Sequence, residues 1–301
     1  MTTRYQPAID LDGIDALDMH THVHASVTED PAAVNATLAA MAKFFKADEL
    51  PPGTLPDLAA YYRDRNIAAV TFTVDTGPAA GEPVLSSDEI VELAAKNNDI
   101  VIPFGSVHPD RGEEGARLAE RLIVEGGVRG FKFHPNGMAF FPNDRKAYDV
   151  YEVLNAHRIP ALFHTGQSGA GAGTRGGGGM RLKYSNPLHL DDVAVDFPDM
   201  PIVLAHPSFP WQEEALAIAV HKPQVYIELS GWSPKYFPPI LVQYANTLLR
   251  DKVLFGSDFP LITPDRWLAD LEMAGIRDEV KPGLLKGNAI RLLGLAQSDR
   301  Q

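Results

Sequence analysis

The stretch Ala16-Leu-Asp-Met-His20-Thr-His22-Val-His24 decides the reading of this chain. It is a short apolar run that ends in alternating histidines. On a β-strand, residues two apart face the same side, so His20 and His22 share a face. If that face is the interior of a barrel, two imidazoles converge near its mouth, which is the arrangement a metal ion needs.

Seven further runs of the same kind follow, at 67–75, 100–109, 128–135, 159–166, 201–207, 224–231 and 252–260. Most are rich in Val, Ile, Leu and Phe at both parities, the pattern of strands buried on both faces in a parallel sheet. Amphipathic segments with helical spacing separate them, at 87–97, 114–125, 145–157, 211–221, 239–250 and 264–274. The last two open on a proline suited to a helix start, and Thr263 is placed to cap the last. Eight strand–helix alternations fit either a closed (β/α)₈ TIM barrel or a doubly wound open sheet. The strand count, the length and the placement of polar residues favour the barrel, as one domain over 1–301.

Those polar residues sit where the runs end. Lys132 and His134 close the fourth run, His164 the fifth, His206 the sixth and Asp258 the eighth. In a (β/α)₈ barrel the carboxyl ends of the strands carry the active site. Seven of the ten histidines lie at or just past such ends. Merely solvated histidines would favour the helical segments, where only His157 and His221 occur.

Composition narrows the chemistry. The 301 residues include no cysteine, so a metal must be held by imidazole, carboxylate or a modified lysine. A net charge of -12 argues against non-specific nucleic-acid binding and leaves a small molecule as the expected partner. The first residues lack the apolar core of a signal peptide, and no run is long enough to span a bilayer, so a cytoplasmic enzyme is expected. Two loop insertions exceed the plain repeat. Residues 25–60 include a segment with helical character at 31–45, and 166–186 are dense in glycine. The glycine stretch 169–179 lacks the Gly-Lys-Ser/Thr ending of a phosphate loop and reads as a flexible lid.

Asp-x-His-x-His on the first strand, histidines on the fifth and sixth, and Gly-Ser-Asp-x-Pro on the eighth resemble the amidohydrolase superfamily. The nearer likeness is to its branch of aromatic-acid decarboxylases, lactonases and related hydrolases. The closing Gly-Asn-Ala-x-Arg-Leu-Leu-Gly-Leu at 287–295 extends the likeness over nearly the whole chain. The stretches Gly-Phe-Lys-Phe-His-Pro, Tyr-Ser-Asn-Pro and Leu-Ser-Gly-Trp-Ser-Pro-Lys-Tyr-Phe-Pro-Pro are similar to those of 4-hydroxyphenyl-β-ketoacyl-CoA hydrolases.

The resemblance implies that His20, His22, His164 and Asp258 ligate a divalent metal, zinc first, with manganese or iron as the other candidates. Metal-activated water would attack a carbonyl, and Asp258 would carry the proton. If the subgroup likeness holds, the substrate is an aryl β-ketoacyl-CoA of hydroxycinnamate breakdown, cleaved at its C–C bond or its thioester. Non-oxidative decarboxylation of an aromatic or enol acid is the rival reaction. The strand-1 ligand is His20, where several aryl decarboxylases carry an acid, and this tilts the reading towards hydrolysis. A non-catalytic metal-binding protein is the third reading.

His206 corresponds to a residue that is a metal ligand in two-metal members and a substrate-orienting group in one-metal members. Lys132 corresponds to the lysine that two-metal members carboxylate; unmodified, it is a cation for an oxyanion or carboxylate. These two decide whether one or two ions bind. For substrate contacts the expected residues are His24 and His134 near the strand ends, and Arg175 and Arg181 beside the glycine loop, for phosphates or as solvated charges. Trp232 and Tyr236 would form an aromatic wall or a subunit contact. Homodimers are common among similar proteins.

Overall fold

The structure is a computed structural model that describes residues 4–28, 42–43, 53–78 and 85–295. The helical segment expected over 31–45 lies, apart from residues 42–43, outside the described residues. Among them run eight parallel strands: β1 Ala16–His22, β2 Ile67–Phe72, β3 Val101–Pro103, β4 Phe131–Phe133, β5 Ala161–His164, β6 Ile202–Ala205, β7 Val225–Glu228 and β8 Val253–Leu254. Each falls inside an expected run; His20, His22, Lys132 and His164 lie within their strands, while His134, His206 and Asp258 follow theirs.

The strands pair in sequence order as two sheets, β1-β2-β3 and β4-β5-β6-β7-β8, joined at both seams. At one seam Met19 N donates to Phe255 O and His22 N to Phe259 O, both at 2.9 Å, and Asp258 N donates to His20 O at 3.0 Å. At the other, Gly105 N donates to Gly130 O at 2.9 Å and Lys132 N to Gly105 O at 2.8 Å. The ring is therefore closed, as expected for a (β/α)₈ barrel. Glycine is required at this second seam because a Cβ on Gly105 would lie 2.8 Å from the Phe131 ring, and one on Gly130 would overlap Phe104.

The helices are α1 Leu55–Arg63, α2 Ser87–Ala95, α3 Gly112–Arg121, α4 Pro135–Met138, α5 Tyr148–His157, α6 His189–Asp196, α7 Gln212–His221, α8 Pro239–Ala245, α9 Pro264–Leu271 and α10 Asn288–Leu292. Local chemistry sets their starts. Ser86 Oγ accepts from Glu89 N at 3.1 Å to open α2, and Thr263 Oγ1 accepts from Arg266 N at 3.3 Å to open α9. Buried faces then bring the helices onto the barrel. Tyr151 of α5 meets Phe133 edge-on at 5.5 Å, and Phe133 stacks on Phe163 of β5 at 4.9 Å. That packing leaves Lys132, between two buried phenylalanines of β4, with no exposure at all on the opposite, inward face.

Candidate active site

At the carboxyl end of the barrel, β1 and the turn after β8 bring three donors together. His20 Nε2 and His22 Nε2 lie 3.2 Å apart. Asp258 Oδ1 lies 3.4 Å from the first and 3.3 Å from the second. The aspartate gets there through a left-handed backbone turn, with φ 70 at Asp258, and His206 adopts the same conformation with φ 72. Such a backbone costs a non-glycine residue about 1 kcal/mol or more and is retained where a side chain must be aimed.

The trio is anchored from below by Asp18, which is fully buried. Its Oδ1 accepts from His20 N at 3.0 Å and from Ser257 N at 2.9 Å, and its Oδ2 accepts from Tyr62 OH at 2.8 Å. One carboxylate thus clamps β1, the post-β8 turn and α1. Burial raises its pKa to about 6, against the pull of Ser257, the His20 amide and Tyr62.

The other predicted ligand, His164, stands outside this trio. Its Nδ1 lies 2.9 Å from His206 Nε2, and its ring stacks on His134 at 4.2 Å. Its Nε2 is buried without a hydrogen-bond partner among the described residues. Lys132 Nζ sits 3.2 Å from His20 Nε2.

Electrostatics favour lone pairs over protons at this mouth. Burial lowers His206 to about 4 and both His24 and His134 to about 3, and it holds His20 and His164 well below the ordinary histidine value. Burial also brings Lys132 down to about 7, although Asp258 and Glu228 pull it back up. Burial alone would raise Asp258, but His22, His206 and Lys132 outweigh it and leave the carboxyl below its usual range.

These donors fit a metal ion. In a tetrahedral site with arms of ~2.0–2.1 Å, neighbouring donors stand about 3.3 Å apart. The three separations here are 3.2, 3.3 and 3.4 Å. The partnerless Nε2 of His164 supplies a further free lone pair at the same mouth.

Two adjoining cavities open onto the site. The first, about 310 Å³, has walls from Val74, Met180, Pro260 and Leu261 and includes His24, His134 and Lys132. The second, about 240 Å³, is lined by Gln167 and Trp232. Both share His164, Ser168, Gly169, His206 and Asp258. His24 and His134 therefore stand where substrate contacts are expected, and the glycine-rich segment borders both cavities.

Arg175, Arg181 and Tyr236 do not. All three are exposed, and none lines either cavity. Met180 takes the inward place in the glycine-rich segment, so the apolar side chain is sheltered while the two guanidinium groups keep their hydration. Tyr236 is 64% exposed and leaves the aromatic wall to Trp232.

Sequence reasoning missed Glu228 and Ser230, both fully buried at the end of β7. Glu228 Oε2 lies 2.8 Å from His20 Nδ1, and Ser230 Oγ lies within 3.0 Å of Glu228, His20 and His206. Burial pushes the Glu228 carboxyl well above its usual range, against Ser230 and Lys132. The available signal was an acid inside an otherwise apolar run, Gln224-Val-Tyr-Ile-Glu228, since carboxylates are almost never buried without a partner.

Comparisons with known proteins show the same fold. An uncharacterised TIM-barrel protein from Bordetella bronchiseptica superposes with a TM-score of 0.75 at 22% identity, covering 94% of this chain and 100% of that one. A dihydroxybenzoic acid decarboxylase from Polaromonas sp. JS666, solved with manganese and 2-nitroresorcinol, superposes with a TM-score of 0.66 at 15% identity, covering 95% and 98%. Protein fluG of Emericella nidulans is 26% identical over 151 residues, 46% of this chain. The chain spans only 16% of that relative's length. The amidohydrolase family model matches residues 17–295, so this chain belongs to the amidohydrolase family.

Proposed function

We propose that this protein is a metal-dependent hydrolase that cleaves a carbonyl compound bearing an apolar, ring-sized group. The observation that carries the reading is the triangle of His20, His22 and Asp258 lining the first cavity, with Asp258 shared by the second. His20, His22 and Asp258 would hold a divalent metal, with His164 beside them. When bound, such an ion polarises a carbonyl and lowers the pKa of water from about 15.7 to roughly 7.

The chain's own groups supply the rest. Asp258 is ionised at neutral pH, takes the proton of the attacking water and returns it to the leaving group. Lys132 donates to the oxygen that gains charge. Val74, Met180 and Leu261 exclude water and seat the apolar group. An aryl β-ketoacyl-CoA suits this chemistry. Water adds at the aryl ketone, the C–C bond breaks, the released carbon takes the proton, and the products are an aryl carboxylate and acetyl-CoA. The motifs at 130–135, 184–187 and 229–239 support that substrate.

Decarboxylation is the second reading, favoured by the fold shared with the Polaromonas decarboxylase. One experiment separates the two. Metal-stripped enzyme, reloaded with Zn²⁺ or Mn²⁺, is incubated in H₂¹⁸O with an aryl β-ketoacyl-CoA and, separately, with dihydroxybenzoates. Hydrolysis places one ¹⁸O in the aryl carboxylate. Release of CO₂ from a dihydroxybenzoate, with the thioester untouched, replaces hydrolysis by the second reading.

A further inference from the structure

Ser230 Oγ occupies the centre of a buried hub. It lies 2.9 Å from Glu228 Oε2, 2.9 Å from His206 Nδ1 and 3.0 Å from His20 Nδ1. Glu228 Oε2 is itself 2.8 Å from His20 Nδ1, and Glu228 Oε1 accepts from Ser230 N at 2.6 Å. His206 then continues the chain, its Nε2 lying 2.9 Å from His164 Nδ1.

Proton positions follow from counting donors. Ionised Glu228, the form that Ser230 and Lys132 favour against burial, only accepts, and a serine hydroxyl has one proton to give; Ser230 O, a carbonyl acceptor 3.1 Å from His206 Nδ1, independently places a proton on that nitrogen. Ser230 Oγ–H donates to Glu228, so its lone pairs accept from His206 Nδ1–H. A neutral imidazole with its proton on Nδ1 has a bare Nε2, so His206 Nε2 accepts from His164 Nδ1–H. That leaves His164 Nε2 bare, the atom found buried without a partner. On the other arm, His20 Nδ1–H donates to Glu228 and His20 Nε2 is bare. Lys132 Nζ, 3.2 Å from that Nε2, can donate to it in this orientation.

We infer that Glu228, acting through Ser230, is a positioning residue that fixes His20, His206 and His164 in the Nδ1–H tautomer and so turns the Nε2 lone pairs of His20 and His164 towards the mouth. Neither Glu228 nor Ser230 lines either cavity, so both act through the histidines that do. The backbone makes room for it. A Cβ on Gly256 would overlap the Glu228 carboxylate, and one on Gly231 would lie 2.7 Å from His206 Nδ1. The same bridge bears on metal count. His206 Nε2 is engaged by His164, and the second donor group, His20, His206 and Glu228, is held together by the Ser230 hydroxyl. The site therefore takes one ion. This consequence rests on the metal reading above; the tautomer assignment does not.

The test is long-range ¹H–¹⁵N correlation of the histidine rings in ¹⁵N-labelled, metal-free full chain, followed by Zn²⁺ titration. The expected result is Nδ1–H for all three rings and one equivalent of Zn²⁺. E228Q, whose amide N–H₂ donates where the carboxylate accepted, is expected to reverse the His20 tautomer and weaken Zn²⁺ binding by roughly 10–100-fold. E228D retains the acceptor and recovers part of the loss. An Nε2–H signal from His164 or His206 in the unmutated protein overturns the assignment without any variant. Two tightly bound equivalents overturn the one-ion count. E228Q with unchanged tautomers and a Zn²⁺ affinity within twofold also overturns the proposal. Correct tautomers with no Zn²⁺ or Mn²⁺ bound would instead remove the metal reading and leave the bridge standing.

Discussion

Asp18→Ala is the sharpest test of how this barrel holds its site. The carboxylate accepts three hydrogen bonds, from His20 N, Ser257 N and Tyr62 OH, and is fully buried. Alanine reaches none of these donors, and water has no ready path to them. Each buried donor left unsatisfied costs about 1–3 kcal/mol. Relief of the desolvated carboxylate offsets part of that loss, so the net destabilisation is expected at about 3–5 kcal/mol. Asp18→Asn keeps an oxygen for the two backbone N–H groups and is expected to lose only about 1–2 kcal/mol. Tyr62→Phe removes one donor and is expected to lose about 1 kcal/mol. Urea unfolding followed by tryptophan fluorescence reads all three. Metal affinity in the folded variants should fall in the same order, because the clamp sets the approach of His20 to Asp258. An Asp18→Ala protein within about 1 kcal/mol of the parent would refute the clamp, and with it the claim that β1 and the post-β8 turn are registered by a side chain.

Two further outcomes are expected. Asp75, 5% exposed, accepts from Arg111 and from the amides of Gly77 and His108, which together outweigh burial and hold its pKa below the ordinary value. Its stabilisation is therefore present above the ordinary carboxylate pKa and lost as pH falls through the lowered one. Arg111→Gln should cost roughly 2–4 kcal/mol at pH 7, and the gap to the parent should close in acid unfolding; a gap independent of pH refutes the pairing. Val74→Phe fills the apolar wall of the larger cavity and is expected to raise KM for the aryl substrate about tenfold, or ~1.4 kcal/mol, with metal stoichiometry unchanged. An unaltered KM would place the ring elsewhere.

Much of this molecule is written locally. Apolar runs with both parities filled announce buried parallel strands, and the caps at Ser86 and Thr263 sit where two helices begin. His20 and His22 share a face because a strand has a period of two, and no distant residue is needed to know it. The positions of Lys132, His164, His206 and Asp258 at strand ends follow from the same periodicity, as does their place at one mouth once the ring closes.

Which of those groups touch is decided by closure. Asp258 reaches His20 across 238 positions of chain because the post-β8 turn pairs with β1, and Glu228 reaches His20 from β7 because only Gly256 separates their paths. His164 faces His206 rather than joining the His20–His22–Asp258 triangle, a choice of rotamer and neighbour that no spacing encodes. The glycine-rich segment illustrates the limit most simply. Its arginines and its methionine are equally available in the sequence, and the folded chain turns Met180 inward because burying a guanidinium without a partner costs far more than burying a thioether. Periodicity fixes which face a side chain takes; the partner it meets there depends on contacts between residues far apart in the chain.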